Sequence, residues 1–162
     1  MDWWFFREGT EAEALEYLER FLDDGAAEIE AAGPKADLSL ASVPEVLARI
    51  GTQVELVDAT PADAPEWVRE VVAEHGGGFR EFAEGSRTHV LRAAYYLGAS
   101  FVSTYPVLRW HLGAADRPEV RQPVVTGFAS GEDLPVLGAA EALLAGGDAA
   151  ATIARWRDAV NG

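Results

Sequence analysis

Residues 88–112 read THVLRAAYYLGASFVSTYPVLRWHL, and the reading of this stretch decides the fold. Val90, Ala94, Leu97, Gly98, Phe101, Val102 and Tyr105 recur at spacings of three and four, which puts them on one face of a helix. Leu91 and Tyr95 add a second apolar flank. A helix that is apolar over most of its girth belongs inside a domain rather than on its surface. Gly98 costs a helix interior about 1 kcal/mol relative to Ala, so its place on the apolar face predicts another backbone passing close by. Ser86 stands where a cap would be. Pro106 biases Tyr105 away from the helical region, which predicts an end at about Thr104. Beyond the turn, Leu108, Trp110 and Leu112 alternate with Arg109 and His111, the pattern of a half-buried strand. Gln122 to Phe128, QPVVTGF, reads as its partner. The rest of the chain is expected to pack against this helix and hairpin.

The chain has 162 residues, enough for one domain with a real core, and about half of them are hydrophobic. The expected class is therefore α+β: a mostly helical single domain, residues 1–162, with a central buried helix and a small antiparallel β-sheet. There is no cysteine, which excludes disulfides, thiolate metal sites and cysteine nucleophiles and favours an intracellular, cytoplasmic location. The start, MDWWFFREGT, lacks the basic and long apolar regions of a secretory signal. No segment approaches the roughly 20 uninterrupted apolar residues of a membrane span.

Net charge is −14, and it is unevenly placed. Residues 1–84 hold 20 of the 27 acidic and 6 of the 13 basic residues, whereas residues 85–162 hold 7 of each. All of the excess lies in the first part. Such a field repels nucleic acid and anionic lipid, so neither is an expected partner. It would favour a basic protein. The plainer reading is solubility.

Four consecutive aromatics, Trp3-Trp4-Phe5-Phe6, open the chain and are expected to fold back over the core. Glu11 to Ala31 is an amphipathic helix with Leu15, Leu18, Leu22, Ala26 and Ile29 as its stripe and Tyr17 and Phe21 beside it. Thr10 and Glu13 form a capping-box pattern at its start. Glu11, Glu13, Glu16 and Glu19 suit the helix dipole there; Asp23, Asp24, Glu28 and Glu30 continue the acidity to the end where the dipole opposes it. Gly33-Pro34 is a stop signal. Ser42 and Glu45 suggest a second capping box, for a short helix burying Val43, Val46, Leu47 and Ile50. Thr52 to Val57 alternates, as a short strand or an extended linker would. A breaker-rich loop leads to a third helix over Pro65–His75, ended by Gly76-Gly77-Gly78. Without a following G-K-[ST], that triple glycine is a loop rather than a phosphate cradle. Phe79 to Glu84 is read as a turn of helix. After the hairpin, Asp133 is expected to cap a helix reaching Leu144, and Asp148 to cap the last one, with Ala149, Ile153, Trp156 and Val160 inward.

A helix ending in Leu97-Gly98-x-x-Phe101-Val102, a strand centred on Trp110, then Gln122-Pro123-Val124-Val125 and a terminal helix together resemble a loosely defined set of uncharacterised small bacterial proteins. In those, an SL-containing turn before a short helix, here Ser39-Leu40-Ala41-Ser42-Val43, precedes the same helix–strand–strand unit. Several look like toxin-immunity or accessory proteins. The resemblance covers the later, larger part of the chain and leaves the acidic N-terminal third mainly outside. It implies a fold and an immunity-like binding role.

No arrangement of residues announces chemistry. His75, His89 and His111 lack H-x-x-x-H or H-E-x-x-H spacing. There is no G-x-S-x-G elbow. Catalytic residues, metal ligands and cofactors are therefore not assigned, and an enzyme is not expected. The first expectation is a cytoplasmic binding protein using Glu16, Glu19, Asp23 and Asp24 against a basic partner. The alternative is a small-molecule binder or enzyme with a pocket between the central helix and the hairpin, lined by Tyr95, Tyr96, Trp110 and His111. Arg109 and His111 share one strand face, and Arg117 and Arg121 follow on the next loop. That basic cluster could hold an anion or meet the acidic face of a second copy in a homo-oligomer.

Overall fold

The computed structural model describes residues 5–32, 37–58 and 80–162. In chain order these form α1 (Phe5–Glu8), α2 (Glu11–Ala32), α3 (Val43–Gly51), β1 (Leu56–Asp58), β2 (Arg80–Phe82), a 3₁₀ turn (Glu84–Ser86), α4 (Arg87–Thr104), β3 (Arg109–Leu112), β4 (Pro123–Thr126), α5 (Val136–Leu144) and α6 (Ala149–Asn161). The class is α+β, mostly helical, with two small antiparallel sheets of two strands each. The expected Pro65–His75 helix, the triple glycine, Gly33-Pro34, Trp3 and Trp4 lie outside the described residues.

α4 is the hub. Val90, Ala93, Ala94, Leu97 and Phe101 are wholly buried, at 0% exposure, and Val102 and Tyr105 are half-buried. The helix packs against α2, α3, α5 and both strands of the second sheet. Small residues such as Ala93, Ala94 and Ala99 let so many neighbours approach one cylinder closely. Ser100, also fully buried, donates its hydroxyl hydrogen bond to the Tyr96 carbonyl at 2.8 Å, whereas His89 Nδ1, near the start of the helix, is buried without a hydrogen-bond partner among the described residues. The helix ends at Thr104, with Tyr105 extended before Pro106.

Two expected caps are used otherwise. Ser86 makes no side-chain cap; its Oγ accepts from the Glu55 backbone N–H at 2.8 Å and anchors the approach to β1. Ser42 likewise leaves α3 uncapped, because its hydroxyl bonds the Ser39 carbonyl at 2.7 Å and the Tyr96 hydroxyl at 2.8 Å. A tertiary partner has taken each hydroxyl. By contrast Thr10 and Glu13 form the full capping box, and Asp148 caps α6 by accepting from the Ala151 N–H. Asp133 does not cap α5, which starts at Val136. Leu134 is instead held extended by two backbone bonds with Val125.

Two further readings are corrected. Residues 80–82 are a strand, not a turn of helix: β2 pairs with β1 in the register Leu56↔Phe82, Val57↔Glu81 and Asp58↔Arg80. Phe82 is buried and Glu81 exposed, a period of two that a three-residue run cannot announce without its partner. Secondly, α2 is turned from its expected stripe. Ala14, Phe21 and Gly25 form its buried line, whereas Leu15 is 48% exposed and Ala26 is exposed. Leu18, Leu22 and Ile29 are half-buried.

The second sheet follows the expected hairpin, pairing Arg109↔Thr126, Trp110↔Val125, His111↔Val124 and Leu112↔Pro123. Its loop is pinned to the N-terminal region: Arg121, at a φ of 59°, donates from its guanidinium to the Gly9 carbonyl at 2.8 Å. Phe6 is buried and meets the Tyr17 ring edge-on at 4.8 Å, so this part of the opening aromatic run does fold onto the core.

Candidate functional site

The α2–α4 junction is built from flat rings laid over glycines. Tyr95 covers Gly25 of α2, and Trp110 covers Gly98 of α4; a Cβ at either glycine would enter the ring. The close approach foreseen at Gly98 is therefore made by an indole rather than by a backbone. Tyr95 and Trp110 stack at 11° with centroids 6.0 Å apart, and Phe21 stands edge-on to both. This packing sets the rotation of α2, and with it everything that α2 shows to solvent.

α2 carries eight acidic residues and one basic, a net −7 and half of the whole chain's −14. At 100° per residue, Glu16, Glu19, Asp23 and Glu30 fall within an arc of about 60°, opposite the buried line, and span about 21 Å. All four are exposed and have no ion-pair partner among the described residues. Asp24 does not join them. It lies about 100° further round the helix from Asp23, on the rim of a groove.

That groove, about 490 Å³, runs between α2 and α4, with Tyr17, Arg20, Phe21, Asp24 and Glu28 on one wall and Thr88, Leu91 and Tyr95 on the other. The Arg92 guanidinium pairs with the Glu28 carboxylate across it. This bond raises the Arg92 pKa. With both side chains more than a third exposed, the pair contributes about 1 kcal/mol or less. Beyond the pair a second hollow of about 410 Å³ continues toward α3, reaching Ile29, Val46, Arg49 and Ile50. Burial raises the pKa of both Tyr17 and Tyr95, so their hydroxyls stay protonated at neutral pH. The groove offers apolar and aromatic surface from Phe21, Leu91 and Tyr95 among two basic and two acidic side chains, Arg20, Arg92, Asp24 and Glu28.

The other expected site residues do not gather into a pocket. Trp110 occupies the space between α4 and the hairpin with its own ring, and Tyr96 is buried with its hydroxyl on Ser42. Arg109 and His111 are exposed on the opposite strand face, where His111 Nδ1 lies 2.7 Å from the Leu112 carbonyl oxygen. His89 is half-buried near the start of α4, and His75 lies outside the described residues. Among the described residues no cluster of three or more His, Asp or Glu could hold a metal ion, and no helix is long and apolar enough to cross a membrane. Glu30 was read from sequence as part of the acidic face but not as a site residue, and the groove beside α2 was not read at all. The spacing of Glu16, Glu19, Asp23 and Glu30 carried the ridge; the groove carried no signal, because it depends on which way α2 faces.

Neither protein-family models, nor curated proteins, nor solved structures include a match to this chain.

Proposed function

We propose that the protein is a non-enzymatic, cytoplasmic, immunity-like binding protein whose acidic α2 face takes a basic protein partner. The observation that carries this reading is the ridge of Glu16, Glu19, Asp23 and Glu30: exposed, unpaired among the described residues, and aligned on one helix. Acids scattered for solubility alone need no alignment. Aligned charge steers a complementary surface and fixes its register. A second copy as partner is disfavoured, since it would bring another −14.

The test is affinity capture from the native host with the intact chain, compared between two triple variants of equal charge change. Glu16→Lys with Glu19→Lys and Asp23→Lys should lose the captured basic protein. Glu81→Lys with Asp116→Lys and Asp158→Lys, all exposed and elsewhere, should keep it. Equal loss in both would reduce the ridge to bulk charge.

A further inference from the structure

We propose that the hollow between α2, α3 and α4 is a binding site for a small aliphatic carboxylate, with its chain on Ile29, Val46 and Ile50 and its carboxylate on Arg49. The site goes beyond the partner reading above and does not rest on it.

The hollow has a volume of about 410 Å³, inside the range of about 300–1,000 Å³ that small-molecule sites occupy. Its floor is apolar. Val46 and Ile50 of α3 are buried, and Ile29 of α2 is half-buried against the core. Its charged lining is Glu28, Arg49 and Arg92, two basic side chains to one acidic. Glu28 and Arg92 are taken up by their own pair. Arg49 is left over. It is exposed and has no ion-pair partner among the described residues, Glu45 one turn before it on α3 included. A lining of net +1 in a chain of net −14 selects an anion. One unpaired cation matches one negative charge; a phosphate monoester, with nearly two, would leave charge uncompensated. The guanidinium offers parallel N–H donors that fit the two oxygens of a carboxylate. Gln53 and the Tyr95 hydroxyl, which burial keeps protonated, line the same hollow and add donors.

The acidic ridge does not cancel this preference. Gly25, Glu28 and Ile29 face the hollow, about 200° round α2 from Glu16, Glu19, Asp23 and Glu30. A helix is about 10 Å thick, more than the Debye length of about 8 Å at physiological salt, so the exposed ridge is largely screened from Arg49.

The probes are octanoate, octanamide and octylamine, which are equal in length and differ in charge, and acetate, which carries the charge without the chain. Calorimetric titration of the intact chain at physiological salt measures each. Octanoate should bind saturably and about fivefold more tightly than octanamide, the worth of one exposed ion pair. Octylamine and acetate should both bind more weakly than octanoate. Arg49→Gln should abolish the preference for octanoate and leave octanamide binding unchanged. Gln53→Trp, at an exposed position on the rim, should close the hollow to both. Arg109→Gln removes the same charge from the exposed hairpin face and should change nothing. Octanoate that fails to saturate, or binds no more tightly than octanamide, overturns the site. Equal losses in Arg49→Gln and Arg109→Gln would reduce the effect to bulk charge and overturn it too. Arg49 also stands in the last turn of α3, where a cation suits the helix dipole. A lowered melting temperature in Arg49→Gln, with the octanoate preference intact, would leave it that role alone and overturn the proposal. The ridge reading stands or falls separately, on the protein captured.

Discussion

α2 and α4 are both long helices with apolar residues three and four apart, yet only one of them faces the way its own pattern suggests. α4 is enclosed on nearly every side, so a small error in rotation would bury the same residues. α2 touches the core along one line, and there the ring contacts outweigh the leucines: Phe21 and Gly25 turn inward to meet Tyr95 and Trp110, and Leu15 turns out. A buried aromatic brings more area and a more exacting geometry than an aliphatic side chain. The lesson is that hydrophobic spacing locates a one-sided helix but fixes its rotation only to within a residue or two.

The largest test of that contrast removes one apolar side chain from each helix. Phe101→Ala should cost about 3–5 kcal/mol, as a fully buried ring does. Leu15→Ala should change stability by no more than about 0.5 kcal/mol. Urea unfolding measures both, and a comparable loss at Leu15 would restore the stripe read from sequence. A smaller effect is expected at the glycines. Gly98→Ala gains about 1 kcal/mol of helix propensity but drives a methyl into the Trp110 ring, so overpacking of about 1–3 kcal/mol should leave a net loss. In a Trp110→Leu background that loss should largely vanish, a coupling that a double-mutant cycle reads directly. Gly25→Ala should also destabilise, because its methyl would enter the Tyr95 ring as that of Gly98→Ala enters the Trp110 ring. Stabilisation by Gly98→Ala would mean that the indole does not lie where it is described.

The smallest effect is read in α2 by pH. The Thr10 backbone N–H, and then its hydroxyl, hold the Glu13 pKa below 4.5. A depressed carboxylate favours the folded state above its unfolded pKa, and that contribution is lost as pH falls from 4.5 through the folded value. The melting-temperature gap between wild type and Glu13→Gln should therefore be open at neutral pH and close as pH falls through the depressed folded-state value. A gap that does not narrow as the solution is acidified would show that the box acts through its shape rather than its charge.

Much of the architecture was legible because particular residues left few choices. Pro106 ends α4, the alternation around Trp110 makes a strand, and Thr10 with Glu13 starts α2. Where a residue had two possible partners, the distant one could not be seen. Ser42 and Ser86 look like caps locally but are drawn to Tyr96 and Glu55, 54 and 31 residues away. The strand at 80–82 was invisible for the same reason, since its evidence is Leu56 to Asp58. Of the candidate site, the acids were legible, but their division into a ridge with Glu30 and a groove rim with Asp24 was not.

From its residues alone this chain determined a buried helix, the hairpin after it, and a concentration of negative charge before it, because burial pattern, proline and charge count are properties of short stretches. The tertiary structure alone decided which way α2 faces, which serine bonds which partner, and whether an opening remains beside the central helix. Those outcomes turn on contacts such as Tyr95 over Gly25 and Trp110 over Gly98, whose members are brought together only when separate elements pack.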